Sequence, residues 1–464
     1  MFADFRFAKV LMFALLFVRT LAYGSASASE PENHGQHSID PQIKAALAEI
    51  SAAQIQSDIE KLVSFQTRST ISAQDAASIS AGKGIGAARE WIKSEFERYS
   101  RDCGGCLEVR TDTFTQDASE RVPQPVGITD VFAVLKGTNP EDAKRIVLVT
   151  GHYDSRNGDV LDKAGFAPGA NDDASGTAVS LECARVLSKL RFPGTIIFLT
   201  VAGEEQGLYG SKHIAELAKA QGWQIQAVLN NDIVGGDKSP GQHSELVRVF
   251  SESIPDSVTD KQIKIGALGG ENDSPSRELA RYVVQTARTY QIGVSPLLEF
   301  RRDRYLRGGD HITFNEAGYA AVRFTEFREN YNHQHQNVRT DNGIEYGDLP
   351  KFVDFDYVAN VARVNAAALA SLASAPGSPQ NVRLETKELT NDSTLHWDPP
   401  ADGRAAAYEV LWRATSAPDW EHEQAAGKAT RATIPVSKDN VIFAVQAEDE
   451  AGHRSEPIVP APER

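Results

Sequence analysis

The sequence has 464 residues, of which 41% are hydrophobic and 24% are charged, a balance typical of globular proteins. Because a single hydrophobic core usually stops growing well below this length, we expect two or more folded units. The formal net charge of −15 argues against a nucleic acid partner, since phosphate binding needs a basic face.

The N-terminus has the pattern of a secretory signal peptide. Arg6 and Lys9 precede the apolar run Val10–Val18, and small residues follow up to Ala28. The apolar run is too short to span a bilayer as a helix of the mature chain. We therefore expect residues 1–28 to be removed, a polar leader over 29–44, and an exported protein without a membrane span, either periplasmic or extracellular.

Apolar strands and helices alternate in the next part of the chain. Apolar residues at helical spacing run from Asp40 to about Tyr99. Strands are predicted over 131–137, 145–154, 195–205, 226–236 and 319–326, and helices over 177–190, 211–221 and 356–373. A more polar insertion occupies roughly 237–298. The alternation predicts an α/β domain over 45–373, with a mostly parallel central sheet and helices on both faces.

The cysteines are few and two of them are close together. Cys103 and Cys106 are separated by two glycines. In an exported chain this spacing favours a short-loop disulfide over a redox motif, and no second C-x-x-C completes a zinc site. Cys183 lies in a helix-like stretch, where we expect a buried, small apolar side chain.

The composition changes at a Pro, Gly and Ser-rich linker over 374–380. Short alternating strands separated by turn residues then fill 381–464, which predicts a small all-β sandwich. This unit resembles a fibronectin type III domain, with Trp397 and Tyr408 at the core aromatic positions and Phe443 where that family more often has tyrosine. We expect it to bind a surface or polymer, or only to stabilise the rest of the chain.

Imidazole and carboxylate groups stand at or just beyond the ends of several predicted strands. They are His152 with Asp154, Asp172 with Asp173, Glu204 with Glu205, Asp232, and Asp310 with His311. Taken singly, an Asp before a helix is usually an N-cap, and a Glu pair is usually solvated. Because the carboxyl ends of parallel strands share one edge of a sheet, however, we expect these groups to meet. Imidazole nitrogen and carboxylate oxygen are typical zinc ligands, and a pair of zinc ions needs a bridging carboxylate.

Five segments carry a resemblance to a known family. GHYDS, GANDDASG, AGEEQGLYGS, NNDIVG and GGDHITFNEAGYAAV occur in an order and spacing similar to those of the zinc aminopeptidases of the M28 metallopeptidase family, over roughly residues 45–373. The resemblance implies two Zn²⁺ per chain. His152 and Asp232 would bind one ion, Glu205 and His311 the other, and Asp172 would bridge them.

The resemblance also implies the chemistry. Glu204 would be the general base, and Asp154 would accept the other imidazole N–H of His152. The zinc ions would lower the pKa of a shared water and polarise the scissile carbonyl, while Glu204 moves a proton to the leaving amine. The expected substrates are peptides with a free N-terminus. Asp173 is not implied as a ligand, and we expect it to cap a helix.

Three other functions stay open. The nearest is a carboxypeptidase or dipeptidase of the same family, because an arginine before Asp310 could bind a substrate carboxylate, although we expect salt bridges there. A glutaminyl cyclase with a single zinc is disfavoured by His152 and Asp232, which would supply the second ion. A binding protein without activity is disfavoured by the complete set of ligands and base. The arginines are Arg301, Arg302, Arg304 and Arg307, and the later His333 and His335 are expected to be structural or at the rim.

The signal peptide generates the first testable prediction. When the full chain is expressed in a secreting host, N-terminal sequencing of the exported protein should begin at Ser29, because Ala26 and Ala28 present the small residues that the cleavage site requires. Deletion of Val10–Val18 should retain the protein inside the cell. Export of that deletion variant at the level of the full chain would contradict the assignment.

Overall fold

The computed structural model describes residues 38–254, 263 and 266–463. The expected signal peptide and most of the leader therefore lie outside the described residues. Within those ranges, every helix falls short of the combined length and apolarity that a bilayer crossing requires.

Four helices open the first part of the described chain, three strands follow, and helices and strands are then interspersed up to residue 374. Its helices are α1 (Pro41–Ala48), α2 (Ala52–Ser64), α3 (Ala76–Ser80), α4 (Gly84–Asp102), α5 (Ala174–Leu187), α6 (Glu204–Gly207), α7 (Tyr209–Gln221), α8 (Pro275–Thr289), α9 (His311–Ala317) and α10 (Phe355–Ser374). The first strands are β1 (Leu107–Gln116), β2 (Val126–Leu135), β3 (Arg145–His152), β4 (Thr195–Val201), β5 (Gln224–Asn231), β6 (Leu246–Ser251), β7 (Ser295–Glu299), β8 (Ala321–Glu326), β9 (Arg339–Asp341) and β10 (Ile344–Tyr346). The C-terminal strands are β11 (Gln380–Glu385), β12 (Ser393–Asp398), β13 (Ala407–Ala414), β14 (His422–Gly427), β15 (Arg431–Ile434), β16 (Val441–Glu448) and β17 (Ala461–Glu463).

The large central sheet has the strand order β1-β2-β4-β3-β5-β8-β6-β7 in the described chain. Its middle, β4-β3-β5-β8, is parallel. Antiparallel pairs join β1 and β2 to one side of this middle and β6 to the other. The predicted α/β fold with a largely parallel centre is confirmed.

The middle of the sheet is buried on both faces. Every residue of β4 is buried, which fits its unbroken apolar sequence. In β3, Val147 and Val149 enter one core and Leu148 enters the other, because successive side chains of a strand alternate. Helices α5 and α10 cover the first face, and α7 and α9 cover the second. The strand ends are thereby held rigidly between two layers of helices.

The sequence pattern does not predict β1 or the segment that contains β6, α8 and β7. β1 alternates between exposed and half-buried residues, so it lacks the apolar run by which a central strand is recognised. Residues 237–298, expected to form a polar insertion, instead contribute β6 and most of β7 to the central sheet. The insertion is therefore part of the sheet rather than an addition to it.

Two smaller sheets follow the linker, with orders β15-β12-β11-β17 and β14-β13-β16. Trp397, Tyr408 and Phe443 are buried in one core that both sheets share, so the sheets pack face to face as a sandwich. The likeness to fibronectin type III and the exact domain limits stay predictions.

A disulfide joins Cys103 and Cys106 immediately after α4. Both residues are half-buried and pack against the main core. Cys183 is buried in α5 as expected.

Arg404 ties the β-sandwich to the α/β unit. Its Nη1 lies 3.0 Å from Asp142 Oδ2 and 2.9 Å from the carbonyl oxygen of Ala375. Its Nη2 lies 2.7 Å from the carbonyl oxygen of Ser374 and 2.8 Å from Asp449 Oδ2. One guanidinium group thus joins the loop before β3, the end of α10 and the sandwich.

Replacement of Arg404 by Ala should lower the free energy of unfolding by about 2–4 kcal/mol, because it leaves the fully buried Asp142 carboxylate with one cation fewer. Thermal and urea unfolding followed by circular dichroism would measure the change. Arg431→Ala is the matched control, since Arg431 pairs with Glu385 on the exposed face of the sandwich and should cost about 0–1 kcal/mol. Equal effects of the two substitutions would show that Arg404 does not stabilise the junction.

Candidate metal centre

Three adjacent parallel strands deliver the candidate ligands to one edge of the sheet. β3 ends at His152, and Asp232 follows β5 directly. After β4, Gly203 has φ 83°, a left-handed conformation that favours glycine. The chain turns there, so that Glu204 and Glu205 open the short helix α6 at the same edge.

The first group of candidate ligands is His152, Glu204 and Asp232, whose ligand atoms lie within 4.8 Å of one another. His152 Nε2 is 3.8 Å from Asp232 Oδ1 and has no hydrogen-bond partner among the described residues. Its Nδ1 lies 3.2 Å from the carbonyl oxygen of Asp154 and 3.3 Å from Asp154 Oδ1. An imidazole that donates from Nδ1 to Asp154 presents the lone pair of Nε2 to a cation.

The second group is Asp172, Glu205 and His335. His335 Nε2 lies 2.9 Å from Asp172 Oδ2 and 3.0 Å from Glu205 Oε2. The other oxygen of the same carboxylate, Asp172 Oδ1, is 3.2 Å from His152 Nε2. Asp172 therefore stands between the two groups, with one oxygen toward each histidine, which is the position of a bridging ligand.

Negative charge is concentrated and poorly solvated at this edge. Asp172, Glu205 and Asp232 are buried, and burial raises the pKa of the neighbouring Glu204 well above its ordinary value. Although burial lowers the pKa of His335, Glu205 and Asp172 raise it to about 10. Imidazole nitrogens and carboxylate oxygens in this combination are the donors that zinc accepts. The unpaired Nε2 of His152 and the surplus of carboxylates both fit a bound divalent cation.

Three further carboxylates hold the backbone of the candidate ligands. Asp154 Oδ2 accepts the backbone N–H of Glu205 at 3.2 Å. Asp173 Oδ2 accepts that of His152 at 3.0 Å. Asp348 Oδ2 accepts that of Asp172 at 2.7 Å. Each of these acids fixes one ligand-bearing segment, so the ligand positions depend on them.

The sequence indicates two of these supporting acids but not the third. Asp154 lies beside His152, where the sequence places it. Asp173 caps α5 by accepting the N–H of Gly176, which confirms the expected helix cap. No sequence motif marks Asp348, which follows the short strand β10 far along the chain.

The structure does not bring His311 into either group. His311 is the first residue of α9, and its Nε2 lies 2.8 Å from the carbonyl oxygen of Arg302. Burial lowers its pKa to about 4, so the ring is neutral. The place beside Asp172 and Glu205 that was expected for His311 is taken by His335. We therefore replace His311 by His335 in the candidate set.

The position of His335 after the predicted strand 319–326 is the feature that could have identified it as a candidate ligand. β8 is parallel to β5, so the loop that follows β8 starts at the same edge as the loops after β3 and β5. In that loop Gln334 Nε2 donates to Asp172 Oδ2 at 3.0 Å, while His333 pairs with Asp237 and stacks on Phe352. The expected structural or rim role thus fits His333, whereas His335 lies against the candidate ligands Asp172 and Glu205.

Comparison with known proteins places this site in context. Peptidase family M28 matches residues 130–352, which include both candidate groups. The chain is 45% identical over 431 residues to a probable zinc metalloprotease of Leptosphaeria maculans, covering 91% of this chain and 97% of that protein. A probable zinc metalloprotease of Pyricularia oryzae is 44% identical over 436 residues, covering 91% and 85%. Among solved structures, the LapA aminopeptidase of Legionella pneumophila has a TM-score of 0.51 at 21% identity, covering 75% of this chain and 78% of that chain, a likeness in fold.

Replacement of His335 by Asn should lower zinc affinity by at least the roughly 10–100-fold that loss of a supporting partner costs, because it removes the nitrogen between Asp172 and Glu205. The His311→Asn variant should bind as much zinc as the unmodified chain. Metal content after dialysis against buffered zinc, normalised to folded protein by circular dichroism, would measure both. Loss of zinc from the His311 variant alone would return His311 to the ligand set.

Proposed function

The chain belongs to peptidase family M28 and is a zinc metallopeptidase, and from this premise we propose that it is an aminopeptidase that uses two zinc ions to remove N-terminal residues from peptides. The observation that carries the proposal is the position of Asp172, whose two oxygens face His152 and His335. A carboxylate shared in this way suits a pair of ions. His152 and Asp232 would hold one ion, and Glu205 and His335 the other.

Zinc bound by these residues would supply a Lewis acid that polarises the scissile carbonyl and acidifies a water molecule. The chain itself would move the proton. Glu204 is half-buried whereas Glu205 is buried, so Glu204 is the acid that water reaches more readily. Its raised pKa brings it nearer the range in which a carboxylate both accepts a proton and gives it back. Glu204 would accept the proton of the attacking water and deliver it to the leaving amine.

Specificity for a free N-terminus has two supports. The sequence motifs resemble those of the family's aminopeptidases, and the Legionella protein of similar fold is an aminopeptidase.

The remaining parts of the chain enter the proposal as follows. The N-terminal pattern supports export to the periplasm or the outside of the cell. The contacts of Arg404 favour a stabilising role for the β-sandwich over that of an independent module that binds a surface or polymer.

Replacement of Glu204 by Gln should lower kcat on aminoacyl amides by about 10²–10⁴-fold, the usual contribution of a general base, with little change in KM. Zinc content should be retained, because the other candidate ligands remain. Glu216→Gln, which removes an exposed carboxylate of α7, is the matched control and should keep full activity.

The same assay tests the direction of cleavage. Peptides with free N-termini should be hydrolysed, and their N-acetylated counterparts should not. Hydrolysis of acetylated peptides from the C-terminus would favour the carboxypeptidase alternative, and full activity of the Glu204 variant would remove the assigned base.

A further inference from the structure

The arginine-rich loop between β7 and α9 is mostly occupied by contacts within the protein. Arg302 pairs with Glu316, and Arg304 pairs with Asp303 and Glu329, as the expected salt bridges require. The guanidinium of Arg301 lies over the ring of Tyr305 at 3.7 Å. The fourth arginine of the loop, Arg307, is placed differently.

Only one nitrogen of the Arg307 guanidinium pairs with an acid within the described chain. Its Nη1 lies 2.8 Å from Glu329 Oε2, and 32% of its side chain is exposed. Glu329 also receives Arg304 at 2.6 Å and Arg248 at 3.0 Å, so three guanidinium groups share one carboxylate. Within the described chain, Nε and Nη2 of Arg307 donate no hydrogen bond to another residue. Positive charge is therefore left over at Arg307.

The backbone that follows Arg307 touches the candidate metal centre. Gly308 accepts a 2.6 Å hydrogen bond from Arg323 Nη1, and Arg323 Nη2 lies 3.0 Å from Asp232 Oδ2. At Gly309 a Cβ atom would lie only 3.1 Å from the same oxygen of Asp232. Arg307 is thus two residues from Gly309, whose backbone passes close to the candidate ligand Asp232.

The charge distribution agrees with this position. Although burial lowers the pKa of Arg307, Glu329 and Asp172 raise it above its ordinary value. Asp172 is the candidate bridging ligand, so the guanidinium lies within electrostatic reach of the centre.

Exposed apolar side chains accompany Arg307. Tyr305 and Leu306 precede it and are 79% and 105% exposed, and Tyr331 is 64% exposed. The centre of the Tyr331 ring is 5.9 Å from Arg307 Cζ. A cation beside exposed apolar surface matches a ligand that joins a carboxylate to an apolar side chain.

We propose that Arg307 binds a carboxylate of the peptide substrate, and that Tyr331 contacts the apolar side chain next to it. The inference rests on the proposed peptidase function and narrows its substrates to short peptides that end in an apolar residue with a free carboxylate. Glu329 orients the guanidinium, and the open Nε and Nη2 edge accepts the carboxylate in the two-point geometry that arginine favours. An acidic side chain offers the same chemistry as a C-terminus, so the test separates the two sources.

The test compares kcat/KM for Leu-Leu with that for Leu-Leu amide, and for Leu-Glu amide with that for Leu-Gly amide, using the full zinc-loaded chain. Arg307→Gln should lower kcat/KM for Leu-Leu about 10–100-fold more than for its amide, the usual weight of charge-assisted hydrogen bonds, mainly through KM. Arg307→Lys should restore part of the preference because it keeps the charge. Arg301→Gln, a change of the same type on the same loop, should keep the preference of the unmodified chain.

A binding measurement keeps the inference separate from catalysis. Calorimetry of Leu-Leu and its amide with the Glu204→Gln chain, with and without Arg307→Gln, should show the same difference in affinity. If the unmodified chain cleaves none of the four peptides, the proposed function fails, and tighter binding of the free acid through Arg307 would still support the inference.

Two results would overturn the inference. The first is that Arg307→Gln lowers kcat/KM equally for Leu-Leu and for its amide, which would indicate a structural role. The second is that Arg307→Gln leaves the preference for Leu-Leu over its amide unchanged. A preference seen only for Leu-Glu amide over Leu-Gly amide, and lost in Arg307→Gln, would assign the carboxylate to a side chain instead of the C-terminus.

Discussion

The burial of several carboxylates at one edge of a parallel sheet is the constraint on which the rest of this structure depends. Parallel strands end together, so β3, β4 and β5 bring their terminal acids into one poorly solvated space. Like charges placed this close repel one another, and burial raises the free energy of each ionised carboxylate. Two side chains offset part of this negative charge. Arg323 lies beside Asp232, and His335 lies between Asp172 and Glu205. Zinc bound here would complete the compensation, which would explain why two adjacent glutamates are tolerated.

Order at the centre comes from acids that are not themselves candidate ligands. Asp154, Asp173 and Asp348 each accept the backbone N–H of a ligand residue. Hydrogen bonds to carboxylates are stronger than neutral ones, and they act here on the backbone, so the ligand side chains start from fixed positions. The rigid middle of the sheet and these three acids together preorganise the site before any cation arrives.

The proposals for substrate follow from an asymmetry of charge around the centre. Carboxylates line the sheet edge, whereas the loop before α9 and the segment after β8 carry the arginines and exposed tyrosines. A short peptide is itself polarised, with an ammonium group at one end and a carboxylate at the other. Arg307 would help to set its direction, since the carboxylate end is attracted to the guanidinium.

The sequence by itself determined the α/β class and the candidate residues His152, Asp172, Glu204, Glu205 and Asp232, because apolar runs mark central strands and their ends must share one edge. It did not determine β1, whose half-exposed pattern resembles a loop, or β6, which lies in the more polar segment 237–298. Only the tertiary structure decided between His311 and His335, since the choice depends on how the loop after β8 folds back toward the ends of β3 and β5. It alone revealed Asp348, whose role is a contact between segments distant in sequence. Local patterns encode periodicity and burial, whereas such long-range contacts exist only after the sheet has formed.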